Sequence, residues 1–229
     1  MGNQQPRRSQ SSGKSGDEIL PRTTVRGGRS PTAETVVLLC GFFLIQYPLS
    51  AIGLVGLFAL SPIVVIEPWT LITSTYAHGS IGHLMSNLIA LILFGALVER
   101  TTTRLRFHTF FILTGALAGV AEITLGSLLA FSPRAVLGAS GAVFALFGYL
   151  ITSNAIADTL IDTIDRVTDI SWAVTAVLII VAAVMAILLS GPGTALVGHA
   201  AGLAIGLVAG RMRLLRIDNS SSTSAQRSV

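Results

Sequence analysis

Charge is scarce in this chain. Of its 229 residues only 11% are charged, lysine occurs once, at Lys14, and no aspartate falls inside any apolar run. Soluble domains carry about 25% charged residues, so a soluble enzyme or a nucleic-acid-binding module is excluded. Cysteine is nearly absent as well: Cys40 stands alone within the first apolar run, cannot form an internal disulfide, and says nothing about compartment. The lack of membrane aspartates rules out an aspartyl intramembrane protease, which needs a pair of them. No His-Glu-x-x-His occurs, and His78 and His83, five residues apart, would point about 140° from one another on a helix, which argues against a metal site. Clear internal repeats are missing, and Glu122 is the lone midplane acid, which weighs against a small transporter.

Apolar length is what the chain has. It is 52% hydrophobic, with a mean hydropathy of +0.74. Long runs cover Val36 to Leu60, Ile81 to Val98, Phe107 to Phe131, Ala135 to Ile151, Trp172 to Leu189 and Ala195 to Gly210. At about 20 residues per crossing, this predicts an all-α membrane protein with a bundle of six transmembrane helices. The organisation read from composition is a disordered tail over 1–33, a membrane domain over 34–216, and a disordered tail over 217–229. Pro6 stands where a myristoylation signal wants Ser or Thr, and the first run begins too late and runs too long for a signal peptide.

The pI near 10 comes mainly from arginine and predicts orientation rather than a polyanionic partner. Arg7, Arg8, Arg22, Arg26 and Arg29 precede the first run; Arg100, Arg104 and Arg106 follow the second; Arg211, Arg213 and Arg216 follow the sixth. With six crossings all three clusters share one side, which places both termini in the cytoplasm of a multi-pass cell-membrane protein. The loop Asn154 to Ser171, rich in aspartate, falls on that side too, but acidic residues weigh little in the rule.

In this topology the second, fourth and sixth runs descend from the outer face, and each carries polar residues early. They are His83 and Asn87, then Ser140 in Gly138-Ala139-Ser140-Gly141, then His199 in Gly198-His199-Ala200-Ala201-Gly202. At 1.5 Å per residue these groups are expected about 3 to 9 Å below their helix starts. Polar side chains in a membrane helix are costly unless they face a partner or water, so their shared depth is informative. Serine with histidine is the minimum for nucleophilic catalysis. The flanking Gly138 and Gly141 permit close backbone approach, and His83 with Asn87, at i, i+4, share a face suited to two donors for one oxyanion. With no aspartate on the outer side, a two-residue dyad is expected rather than a triad.

Taken singly these residues have plainer readings. A serine in a glycine-rich membrane helix commonly serves close packing, and Gly198, Gly202, Gly206 and Gly210 form an i, i+4 ridge that would set the sixth helix against the fourth. His78 reads as an interfacial or water-contacting residue, and His108 as interfacial. Glu122 leaves two roles open, water coordination near the site or a neutral, hydrogen-bonded structural one.

Together, Trp69-Thr70-Leu71-Ile72-Thr73, His78-x4-His83-x3-Asn87, the end of the second run with Glu99, Gly-Ala-Ser-Gly and His-Ala-Ala-Gly resemble the rhomboid intramembrane serine proteases, from about Trp69 to Gly210. The resemblance implies Ser140 as nucleophile, His199 as general base and acid, His83 and Asn87 as oxyanion donors, and Phe144 packed on the His199 ring. It also implies a six-helix rhomboid-like bundle that cleaves peptide bonds in or beside transmembrane segments of other membrane proteins, within the lipid bilayer and with no cofactor. Three features depart from the family pattern: Trp69-Thr70 replaces a common Trp-Arg, the first loop is a short Ser61 to Pro68 stretch, and Phe144 replaces a frequent tyrosine. The alternative is a catalytically silent relative that binds membrane clients.

Overall fold

A computed structural model describes residues 29–153 and 195–217. The fifth apolar run, the Asn154 to Ser171 loop, the outer stretch Ser190 to Thr194 and most of both tails lie outside these residues. The described residues are helical, with no strand beyond one isolated antiparallel bridge. In chain order we label them α1 (Pro31–Ala51), α2 (Thr70–Tyr76), α3 (Ile81–Val98), α4 (Arg104–Ala121, continuing through a π-turn at Glu122–Gly126 to Leu129), α5 (Ser140–Thr152) and α6 (Leu196–Arg211).

Local sequence sets several of these boundaries. Ser30 accepts a hydrogen bond from the Ala33 N–H with Pro31 at the first helical position, so α1 begins inside the stretch read as tail. Ser80 caps α3 by accepting from the His83 N–H, and Thr103 caps α4 by accepting from the Arg106 N–H. Among the described residues, three helices, Pro31–Ala51, Ile81–Thr101 and Arg104–Leu129, are long and apolar enough to cross a membrane, whereas α5 and α6 are shorter.

Two apolar runs do not form the single helices that hydropathy suggested. The first breaks after Ala51, because Gly53 takes φ +88°, a conformation glycine alone adopts cheaply, and the chain then turns through a short 3₁₀ segment at Leu54–Leu57. The first loop therefore occupies 52–69 rather than a short Ser61 to Pro68. It is braced by the Trp69 indole N–H donating to the Leu57 carbonyl and exposes Ile63, Val65 and Ile66. The fourth run begins as extended chain. Val136 exchanges both backbone hydrogen bonds with Leu60, the Gly138 N–H donates to the Ser74 carbonyl, and the helix starts only at Ser140.

Packing is tightest between α5 and α6. A Cβ on Gly202 would run into the Gly141 carbonyl, one on Gly206 into that of Ala145, and one on Gly210 into Thr152 and Tyr149. The two backbones thus meet along the glycine ridge; Gly198 instead faces α4, where a Cβ would lie 3.2 Å from the Ala118 carbonyl. Leu39 and Phe43 of α1, Leu88 and Leu91 of α3, Phe107 and Phe111 of α4 and Leu146 and Tyr149 of α5 fill the core between these helices. Many apolar side chains instead face outward, including Leu44 of α1, Ile89 of α3, Leu113 and Leu117 of α4, as a lipid-facing surface requires.

Polar groups gather the helix ends. Glu99 accepts from the Ser30 hydroxyl and the Thr32 N–H, tying α1 to the end of α3. Glu34 pairs with Arg104 and His108 at the start of α4, Arg106 donates to the Arg216 carbonyl, and the Ile217 N–H donates to that of Thr101. Arg29, the Arg100 to Arg106 group and the Arg211 to Arg216 group therefore lie at one end of the bundle. The starts of α3, α5 and α6 lie at the other.

Candidate active site

Ser140 is the first residue of α5 rather than one buried within a longer helix, and Ala139 ahead of it is fully buried. At this point the first-turn N–H groups have no partner four residues back; Val143 N–H to the Ala139 carbonyl is the first such bond. The serine is thus presented beside amide donors that have no partner among the described residues, at the positive end of a helix. Its approach requires Gly138, which has φ +133° and stands so close to His83 that a Cβ would lie 2.6 Å from the imidazole Cε1.

His199, in the first turn of α6, meets Ser140 directly: its Nε2 lies 2.9 Å from the serine Oγ. With the imidazole neutral, the hydroxyl donates and Nε2 accepts. Phe144, one turn along α5, stacks on the His199 ring at a centroid distance of 4.5 Å and 20° between planes. Gly141 and Gly202 are the contact that lets α6 come near enough for this bond to form.

His83 and Asn87 of α3 line the same cleft as Ser140, Phe144 and His199, a cavity of about 1130 Å³ whose apolar wall includes Phe94 and Phe147. Asn87 directs one amide hydrogen to the His83 carbonyl, 2.9 Å away, which leaves a second one uncommitted by that bond. Five residues taken from three separate runs, Ser140, Phe144, His199, His83 and Asn87, all line this cleft, and Gly138 stands against the His83 ring.

His78 does not stand at an exposed surface of the described residues. It is fully buried in the loop before α3, and its backbone N–H donates to the Gln46 side-chain oxygen of α1. Nδ1 donates to the Tyr76 carbonyl and Nε2 accepts from the Ala139 N–H, a pairing that a neutral ring alone can make. Burial, with the neighbouring His83 adding to it, pushes the His78 imidazole down to about 4. The ring thus braces the residue that precedes Ser140, and it rests edge-on against His83 with centroids 5.0 Å apart.

Glu122 is hydrogen-bonded and structural, as one of its two readings had it, and it lines the cleft, but its side-chain partner is a charged one. Its side chain is fully buried and forms an ion pair with Arg134 at 2.7 Å, while its other oxygen accepts the Gly198 N–H at 2.8 Å. Sequence reasoning missed this partner although the signal was available: Arg134 is the one arginine among the outer connections, and Glu122 the one acid in its helix run. A buried charge requires a counter-charge.

A family model described as Rhomboid domain matches residues 66–216, well over half of the chain. RHOMBOID-like protein 4 of Arabidopsis thaliana is 31% identical over 150 residues, which cover 66% of this chain and 35% of that protein. RHOMBOID-like protein 5 of the same plant is 31% identical over 86 residues, covering 38% and 27%. Rhomboid protease GlpG of Haemophilus influenzae is 28% identical over 96 residues, covering 42% and 47%. The matched stretches thus span between about a quarter and about half of these relatives' own lengths.

Proposed function

The chain belongs to the rhomboid family, and from that membership we propose that it is an intramembrane serine endopeptidase acting on transmembrane segments of other membrane proteins. The observation that carries this reading is the 2.9 Å contact between Ser140 Oγ and His199 Nε2 at the start of two helices.

Ser140 Oγ attacks the scissile carbonyl while His199 Nε2 removes its proton. Negative charge then develops on the carbonyl oxygen, where the His83 ring N–H, the free amide hydrogen of Asn87 and first-turn N–H groups of α5 receive it. His199 returns the proton to the departing amine. Water repeats the cycle on the acyl-serine ester, which restores the hydroxyl. Phe144 holds the imidazole plane, and its π-face attracts the imidazolium that forms transiently.

Depth fits such a substrate. At 1.5 Å per residue the 13-residue α5 covers about 20 Å, so with its far end at the inner face of a ~30 Å hydrocarbon layer Ser140 sits about 10 Å below the outer one. On this reading the bundle has six crossings, with the arginine-bearing end and both termini in the cytoplasm of a cell-membrane protein, and the membrane domain runs from the start of α1 at Pro31, rather than from 34, to 216. A silent client-binding relative would have no use for the Ser140–His199 bond.

Ser140→Ala and His199→Ala are each expected to abolish cleavage of a reconstituted transmembrane substrate, and the double variant to be little worse than either, because nucleophile and base act as one unit. Substantial turnover by folded Ser140→Ala protein would overturn the assignment.

A further inference from the structure

We propose that Glu122 and Arg134 form a clamp that positions the Ser140–His199 dyad, a role that rests on the protease reading above. Each oxygen of one buried carboxylate holds a different arm of the site. Oε2 accepts the N–H of Gly198, the residue immediately before His199. Oε1 accepts from the guanidinium of Arg134, at the start of the extended segment that ends at Ser140.

The surroundings are shaped for this arrangement. Ala195, at the start of α6, provides no side-chain cap, so one of the orphan N–H groups of the first turn is satisfied by a carboxylate from another helix. Glu122 opens the π-turn of α4, the kind of interruption that recurs at functional sites. Gly126 leaves room for the carboxylate to lie back along its own helix, since a Cβ there would stand 2.7 Å from Oε1. Gly198 lets α6 rest on α4, its absent Cβ only 3.4 Å from the Cβ of Glu122. On the other arm the Arg134 N–H donates to the Ser127 hydroxyl of the same helix, so backbone and side chain both anchor that residue.

Neither group touches the reacting atoms as drawn above. Their effect is on where His199 and Ser140 stand, and a displacement of about 1 Å at a reacting pair costs on the order of 10²-fold in rate. A salt bridge serving stability alone would alter the unfolding temperature and leave turnover by the folded protein intact. A positioning clamp alters kcat while leaving KM near its original value.

Removing one partner would orphan a buried charge and endanger folding, so the test uses paired substitutions. Glu122→Gln with Arg134→Met keeps an acceptor for Gly198 N–H and cuts the arginine arm; Glu122→Met with Arg134→Met cuts both; Arg134→Lys retains the charge. The readouts are kcat and KM on a transmembrane substrate, the rate of Ser140 modification by a fluorophosphonate, and the unfolding midpoint. The clamp predicts kcat lowered about tenfold in the Gln/Met protein and about 10²-fold in the Met/Met protein, a parallel fall in modification rate, KM within about twofold, and recovery of most activity in Arg134→Lys. Should Met/Met not fold, Gln/Met against Arg134→Lys decides. Folded double variants with wild-type kcat, or losses confined to KM, overturn the clamp alone. A wild-type protein that neither cleaves nor labels overturns the protease reading and the clamp with it.

Discussion

His78 and His83 face each other across 5.0 Å, yet their nitrogens are spent differently. Those of His78 are both engaged with backbone, at Tyr76 and Ala139, whereas the ring of His83 borders the cleft beside Gly138. His83→Ala is therefore expected to lower kcat by about 10² to 10³ with KM little changed, because an oxyanion donor acts mainly in the transition state. His78→Ala removes the acceptor of a buried N–H and is expected to destabilise the fold by about 1 to 3 kcal/mol, with the rate loss per folded molecule the smaller effect. Steady-state kinetics beside thermal unfolding in detergent separates the two; a severe kinetic defect in His78→Ala with His83→Ala nearly active would reverse the assignment. The motif spacing showed that His83 and Asn87 share a helical face. That His78 lies buried was not legible, because it depends on Gln46 and Ala139, residues 32 and 61 positions away in the chain.

Among the elements, the α5–α6 contact is the one on which the site depends, since it sets the distance between Ser140 and His199. Gly206 stands over the Ala145 carbonyl with no room for a Cβ. Gly206→Val is expected to force the helices apart, lowering the unfolding midpoint and reducing activity by at least the ~10²-fold that a displacement of about 1 Å entails. Wild-type activity and stability in that variant would show that the contact does not govern the dyad. This ridge was visible in the sequence because its period matches a helix. The interruptions in the runs were not: hydropathy records that Leu60 and Val136 are apolar, but not that they pair with each other as extended chain. Nor does it record that Gly53 turns the first run into a loop. Apolar composition measures burial or lipid contact, and backbone conformation within an apolar run depends on glycine dihedrals and on distant partners.

Among the described residues, Arg29 and the Arg100 to Arg106 and Arg211 to Arg216 groups lie at the end of the bundle opposite the cleft, which follows from the helix connections and from the hydrogen bonds joining Glu99 to Ser30 and Thr101 to Ile217. If positive charge faces the cytoplasm, single cysteines introduced into both tails of Cys40→Ala protein will resist an impermeant thiol reagent in intact cells, and one at Gly191 will react. Labelling of the tails would invert the topology. The central claim is that Ser140 is an activated nucleophile, and the most direct measurement is covalent modification of the purified protein by a serine-directed fluorophosphonate, with the adduct located by mass spectrometry. The account predicts an adduct on Ser140 that disappears in Ser140→Ala and forms at a rate greatly reduced in His199→Ala. An unmodified Ser140 in folded wild-type protein, or equal modification with and without His199, would contradict it.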